Sequence, residues 1–168
     1  PGLAVKWGLG QRLHDYGMQL GDIRHGLRCV ALALPVVLLM AYVASRDAAV
    51  QAEYPLAKDA MRHLEWFLIV ELFYLAYYAG WEFFFRGFML FGLEAPYGAV
   101  LAILVQTIPS TLVHIGKPAS EAFAAIGAGL LFGYLAVRTR PILYPLLLHA
   151  AVGIGTDVFL VLQAGGPK

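Results

Sequence analysis

The apolar runs of this chain are long enough to cross a bilayer and are separated by proline, glycine and charged residues. That pattern confines the chain to membrane-spanning helices, because backbone polar groups in lipid must be satisfied within the segment. At about 1.5 Å of rise per residue, about 20 residues cross a hydrocarbon core of ~30 Å. The first run covers residues 27–45, with Arg28 at its edge and Pro35 inside. Residues 46–62 form a polar connection carrying Arg46, Asp47, Glu53, Pro55, Lys58, Asp59 and Arg62. The second run, residues 64–93, holds Glu65, Glu71, Glu82 and Arg86 and exceeds one span, so its turns after Gly87 are expected to bend or lie at the interface. Ala95-Pro96-Tyr97-Gly98 is a turn signal, and a third run follows over residues 99–114, stopped by Gly116-Lys117-Pro118. The fourth, residues 119–137, is rich in small residues that let helices approach closely in lipid. Arg138-Thr139-Arg140-Pro141 turns the chain into the fifth, residues 142–162.

Composition agrees with this reading. The chain is 60% hydrophobic and 14% charged, against about 25% charged in soluble domains, and its mean hydropathy is +0.70. The expected fold is therefore all-α: a polytopic membrane helix bundle with about five transmembrane helices and an N-terminal interfacial segment. Residues 1–26 form that segment, mixing Trp7, Leu13, Tyr16 and Ile23 with charges and glycines. Residues 27–168 form the transmembrane domain. A net charge of +1 without a basic stripe gives no reason to expect a nucleic-acid partner. The single cysteine, Cys29, excludes an internal disulfide and a cysteine-built metal site. Pro1 in place of Met points to processing or to missing upstream sequence, and no cleavable signal pattern is visible. Basic residues lean towards the N-terminal side as cytoplasmic: Lys6, Arg12, Arg24, Arg28, Arg86, Arg138 and Arg140 against Arg46, Lys58, Arg62, Lys117 and Lys168.

Ionisable residues inside the spans are functional candidates, since each needs a partner or a wet cavity. Glu82 and Arg86 are four apart in an aromatic run, so carboxylate and guanidinium share a helix face. Across the hairpin centred on Gly98, Glu82 and His114 come to the same depth, as a carboxylate–imidazole pair that activates water requires. His149 lies in the fifth run with Asp157 two turns further on the same face. Counted from Pro141, Asp157 matches the level of His114, and His149 lies about 12 Å lower. Asp157 reads as a partner of His149 or as an interhelical tie. Glu71 reads as an interhelical contact or cavity lining, Lys117 and Glu121 as a pair, and Tyr74, Tyr77 and Tyr78 as lipid-facing or packing residues.

Trp81-Glu82-x-x-x-Arg86-Gly87, then Ser110-x-x-x-His114, then His149 resemble the CPBP family of intramembrane proteases, which groups CAAX prenyl endopeptidases with bacteriocin-processing and bacteriocin-immunity proteins. The likeness covers roughly residues 64–162, and the stretches from His114 to Glu121 and from Tyr134 to Arg140 look like bacterial members. The family pattern is Glu-Glu-x-x-x-Arg, Phe-x-x-x-His and His-x-x-x-Asn/Asp. Here Trp81 replaces the first glutamate, usually assigned to water activation; Ser110 replaces the aromatic; and Gly153 replaces the last polar residue. The resemblance implies catalytic roles for Glu82, Arg86, His114 and His149, with Asp157 as the candidate replacement for the residue missing at 153.

Three functions stay open on the sequence. The first is an intramembrane endopeptidase in which Glu82 and His114 activate water and His149, with Asp157, serves the oxyanion or the leaving amine. It would act in a bacterial inner (plasma) membrane on a lipidated peptide or hydrophobic-tailed membrane protein, with the bilayer as its other partner and no cofactor. No acyl-enzyme is needed, since Ser110, Thr111 and Cys29 have no evident base partner. The second is a zinc protease using Glu82, His114 and His149 as ligands, a set that Arg86 disfavours. The third is a non-catalytic scaffold or bacteriocin-immunity protein of the same fold, favoured by Trp81 and Gly153.

Overall fold

The computed structural model of the chain describes residues 1–58 and 63–166. Asp59, Arg62 and Lys168, counted above among the charges, lie outside the described residues. The spans are α1 (Ile23–Ala44), α3 (Leu64–Glu82) continuing without a break to Tyr97, α6 (Ala119–Thr139) and α7 (Leu143–Gln163). All four are long and apolar enough to cross a membrane, which makes this an integral membrane protein. The short helix α2 (Ala48–Glu53) lies in the connection after α1. Helix α5 (Ala99–Leu112) is apolar but has only 14 residues, about 21 Å at the usual rise. It is shorter than a full crossing, and His114 sits in the turn just past its end.

The helix starts follow local chemistry. Helix α1 begins at Ile23 rather than near residue 27, because the Asp22 side chain accepts from the His25 amide at 2.9 Å and caps an additional turn. The long second run stays helical past Gly87, to Tyr97. The helix widens into a π-helical section, Phe83–Met89, before resuming as α4 (Leu90–Tyr97). Gly87 makes the close approach there possible: a Cβ on it would stand 2.8 Å from the Tyr16 carbonyl oxygen.

Polarity is inverted relative to a water-soluble globule. Leu32, Leu72, Phe73, Val100 and Phe123 are exposed, whereas Glu71, Glu82, Arg86, Gln106 and Asp157 are buried. That is the distribution expected of a bundle surrounded by lipid. Packing gathers at two places. Val5, Tyr16, Leu90, Phe91, Ala102, Ala136 and Ile142 join the N-terminal segment to α4, α5, α6 and the start of α7. Val37, Phe132, Leu135, Tyr144 and Leu148 join α1, α6 and α7. Segment 1–22 is thus tied to the bundle as well as exposed at Trp7: the Ile142 amide donates to the Gly17 carbonyl at 3.1 Å, and Tyr144 Oη to that of Leu20 at 2.8 Å.

Helices α5 and α6 meet through small residues. A Cβ on Gly129 would meet Thr107 at 2.7 Å, and one on Gly133 would meet Gln106 Nε2 at 2.9 Å. Gln106 Nε2 donates to the Gly129 carbonyl at 2.9 Å, so close approach and a polar tie act together.

Candidate active site

Glu82 closes α3 where the helix passes into the π section that carries Arg86. A π turn displaces the following side chains from regular α spacing, and such turns collect at functional sites. Glu82 is fully buried and Arg86 is 2% exposed. Arg86 Nη1 lies 3.3 Å from Glu82 Oε1, an ion pair without hydrogen-bond geometry. The guanidinium is also held over the Phe132 ring at 5.6 Å and the Phe85 ring at 6.0 Å.

The imidazole that meets Glu82 is His149, on α7, with Nδ1 2.6 Å from Glu82 Oε1. An ionised carboxylate only accepts, so this contact puts the proton on Nδ1 and leaves the Nε2 lone pair free. The remaining oxygen, Glu82 Oε2, is buried without a partner among the described residues. The His149 ring is caged by Tyr78 at 4.5 Å, Phe132 at 5.9 Å and Trp81 at 6.1 Å, yet 18% of its side chain stays accessible.

The depth count pairs Glu82 with His114; the structure gives Glu82 to His149 instead. His114 Nδ1 donates to the Ser110 carbonyl at 2.8 Å, and its Nε2 lies 3.9 Å from Glu121 Oε1. The Trp81 ring bridges the two histidines, standing edge-on to His114 at 5.5 Å. No group of three His, Cys, Asp or Glu side chains among the described residues has a metal-binding arrangement, and the set Glu82, His114 and His149 does not converge on one point.

Asp157 is buried but is not brought to His149. It lies near Glu71, whose two carboxyl oxygens are buried without a hydrogen-bond partner among the described residues, two turns along α7 from the imidazole. Both are acceptors when ionised, so a bond between them requires a proton on one. Lys117 and Glu121 are not a pair either. Lys117 precedes the first residue of α6, so helical spacing does not apply, and its Nζ lies 2.6 Å from Glu53 Oε1. Glu121 accepts from Tyr54 Oη at 2.9 Å. Burial first, and then the Glu121 carboxylate, hold the Tyr54 phenol above its ordinary value, so it stays a proton donor. With Ser120 Oγ donating to Asp47 at 2.7 Å, these bonds strap the connection after α1 over the α5–α6 turn beside His114.

Tyr78 is the residue that a reading of the aromatics as packing overlooks. It lies one turn before Glu82 on the same face, and Gly153 lies one turn after His149 on α7. A Cβ on Gly153 would collide with the Tyr78 hydroxyl. The available signal was this matched spacing of a tyrosine and a glycine about the Glu82–His149 level.

Fold and site together define a polytopic membrane protein with a buried carboxylate and guanidinium beside a partly accessible imidazole. The family model for Type II CAAX prenyl endopeptidase Rce1-like proteins matches residues 63–154, more than half of the chain, and the chain belongs to that family of membrane endopeptidases. Comparison with curated proteins and with solved structures gave no match. The matched stretch includes Trp81, Glu82, Arg86, His114, His149 and Gly153 and ends before Asp157.

Proposed function

We propose that this protein hydrolyses a peptide bond near the lipidated or hydrophobic end of a membrane-associated substrate, using water activated by Glu82 and His149. The observation that carries this reading is the 2.6 Å contact between His149 Nδ1 and a buried carboxylate that lies 3.3 Å from the Arg86 guanidinium. His149 Nε2 takes a proton from water, and the resulting hydroxide adds to the substrate carbonyl carbon. The tetrahedral oxyanion then collapses, the C–N bond breaks, and the imidazolium returns the proton to the leaving amine. Glu82 stabilises the imidazolium while it exists, and Arg86 keeps Glu82 ionised and aimed. No side chain forms a covalent bond to the substrate.

His114 is given a supporting place, aligning Trp81 and the α5 end beside the site, and Asp157 a structural one. A prenylated C-terminal peptide fits a site reached from lipid and fits the family's description. The bilayer is the bacterial plasma membrane in this reading, on the likeness of residues 114–121 and 134–140 to bacterial members.

The test is cleavage of a farnesylated peptide by the purified protein in liposomes made with H2-18O. Water attack places one heavy oxygen in the new C-terminal carboxylate, and Glu82→Gln and His149→Ala abolish the product. Absence of product from the wild type across prenylated and hydrophobic-tail probes would favour the scaffold reading, which Trp81, wedged against both imidazoles, supports.

A further inference from the structure

The hydrolytic step needs a donor for the oxyanion, and the charged groups nearest His149 are unsuited to it. Arg86 is committed to Glu82, and Asp157 is turned towards Glu71. A neutral donor stands beside the imidazole: the Tyr78 hydroxyl makes no hydrogen bond among the described residues. Its ring lies against His149, centroids 4.5 Å apart, which fixes where the hydroxyl points. The hydroxyl reaches α7 at Gly153, one turn from His149, and it does so because Gly153 has no side chain. Gly153 is in the interior of α7, where glycine weakens the helix, and its φ is not in the left-handed region. Space for the phenol is what this glycine provides.

We propose that the Tyr78 hydroxyl is a catalytic hydrogen-bond donor to the oxyanion formed at the scissile carbonyl. The inference rests on the endopeptidase reading above. In this proposal the scissile carbonyl oxygen lies at the next turn of α7, where the hydroxyl reaches Gly153. A neutral phenol donates without bringing a further charge into the bundle, and its fixed position requires no reorganisation during the reaction. The proton stays on the phenol throughout: the hydrogen bond strengthens as negative charge builds on the oxygen and weakens as the C–N bond breaks.

The test uses the full chain in liposomes and a quenched-fluorescent farnesylated peptide. Tyr78→Phe keeps the ring against His149 and removes only the donor. It is expected to lower kcat by about 10²–10³-fold with KM changed less than threefold. Affinity for a phosphinate analogue of the same peptide falls by a similar factor, while affinity for the cleaved peptide product does not. In Tyr78→Ala/Gly153→Asn an amide donor on α7 takes the vacated space, and activity is expected to rise at least tenfold over Tyr78→Ala. If the wild type cleaves, Glu82→Gln does not, and Tyr78→Phe keeps wild-type kcat and phosphinate affinity, the role of Tyr78 is overturned and the endopeptidase reading stands. If the wild type leaves the probe intact, or Glu82→Gln cleaves it equally well, both fall.

Discussion

Helices α3 and α7 meet at two polar levels, and the same residue type does different things at each. At one level the Glu82 carboxylate meets an imidazole at 2.6 Å and a guanidinium at 3.3 Å. At the other the Glu71 carboxyl faces the carboxyl of Asp157, with the Tyr74 and Tyr78 phenols near the pair. Burial does not separate them, since all three acids are less than 10% exposed. The partner separates them. An imidazole beside a carboxylate can move a proton to and from a substrate that reaches its ring, whereas two carboxyls that share a proton can do so only where a substrate reaches them. Accessibility follows the same division, for His149 opens part of its ring to the surroundings while Glu71 and Asp157 stay covered. A buried acid in a membrane span therefore marks a site only together with what faces it.

The sharpest way to break this contrast is to neutralise each level in turn. Glu82→Gln keeps shape and removes the charge that stabilises the imidazolium; kcat/KM is expected to fall by about 10³–10⁴-fold. Retention of activity within tenfold would mean that the Glu82 level is no more catalytic than the Glu71 level. Stability is read from the same pair. Arg86→Gln leaves Glu82 buried without its cation, a change that costs about 3–5 kcal/mol in buried pairs. The thermal midpoint in detergent should drop steeply, and Glu82→Gln/Arg86→Gln should recover part of the loss. A double variant no better than the single would show that the two charges do not depend on each other.

The two histidines extend the comparison across Trp81. His149→Ala removes the proton carrier and is expected to match the loss in Glu82→Gln. His114→Ala removes a ring that contacts Trp81 and the Ser110 carbonyl, and a decrease of less than about tenfold is expected for a group that only positions others. Equal losses in the two variants, with folding intact by circular dichroism, would return His114 to the chemistry.

Much of the bundle was legible because lipid imposes one rule on every span. Runs of about 20 apolar residues had to be helices, and proline and glycine marked their ends. The site residues were legible as types, since Glu82, Arg86 and His149 are costly inside a span wherever they face. Their pairing was not. Counting residues from a turn assumes straight helices that all cross fully, whereas α5 has only 14 residues and the chain widens into a π section directly after Glu82. Nothing in composition distinguishes a π turn from an α turn, and Phe83, Phe84 and Phe85 read only as apolar. The part played by Tyr78 depends on the absence of a side chain at Gly153, a contact between helices that no local pattern encodes. The strap from Tyr54 to Glu121 joins residues 67 apart and was equally hidden.

The smallest expected effect belongs to the second level of the α3–α7 contact. In Asp157→Asn the amide can donate to an ionised Glu71, so the pair no longer has to hold a proton to bond and the charge buried there stays at one. Removing one acid from a buried carboxyl pair removes the cost of keeping the other protonated, and the thermal midpoint at pH 7 is expected to hold or rise. Activity in liposomes is expected to stay within twofold of wild type at pH 7, because the change lies two turns of α7 from His149. Glu71→Gln is expected to behave alike, with the amide now on α3. A tenfold loss of kcat in either variant, with the midpoint unchanged, would tie the second level to the first and remove the distinction between them. The two single variants also tell the proton requirement from packing: loss of that requirement raises the midpoint from either side of the pair, whereas a packing defect lowers it from both.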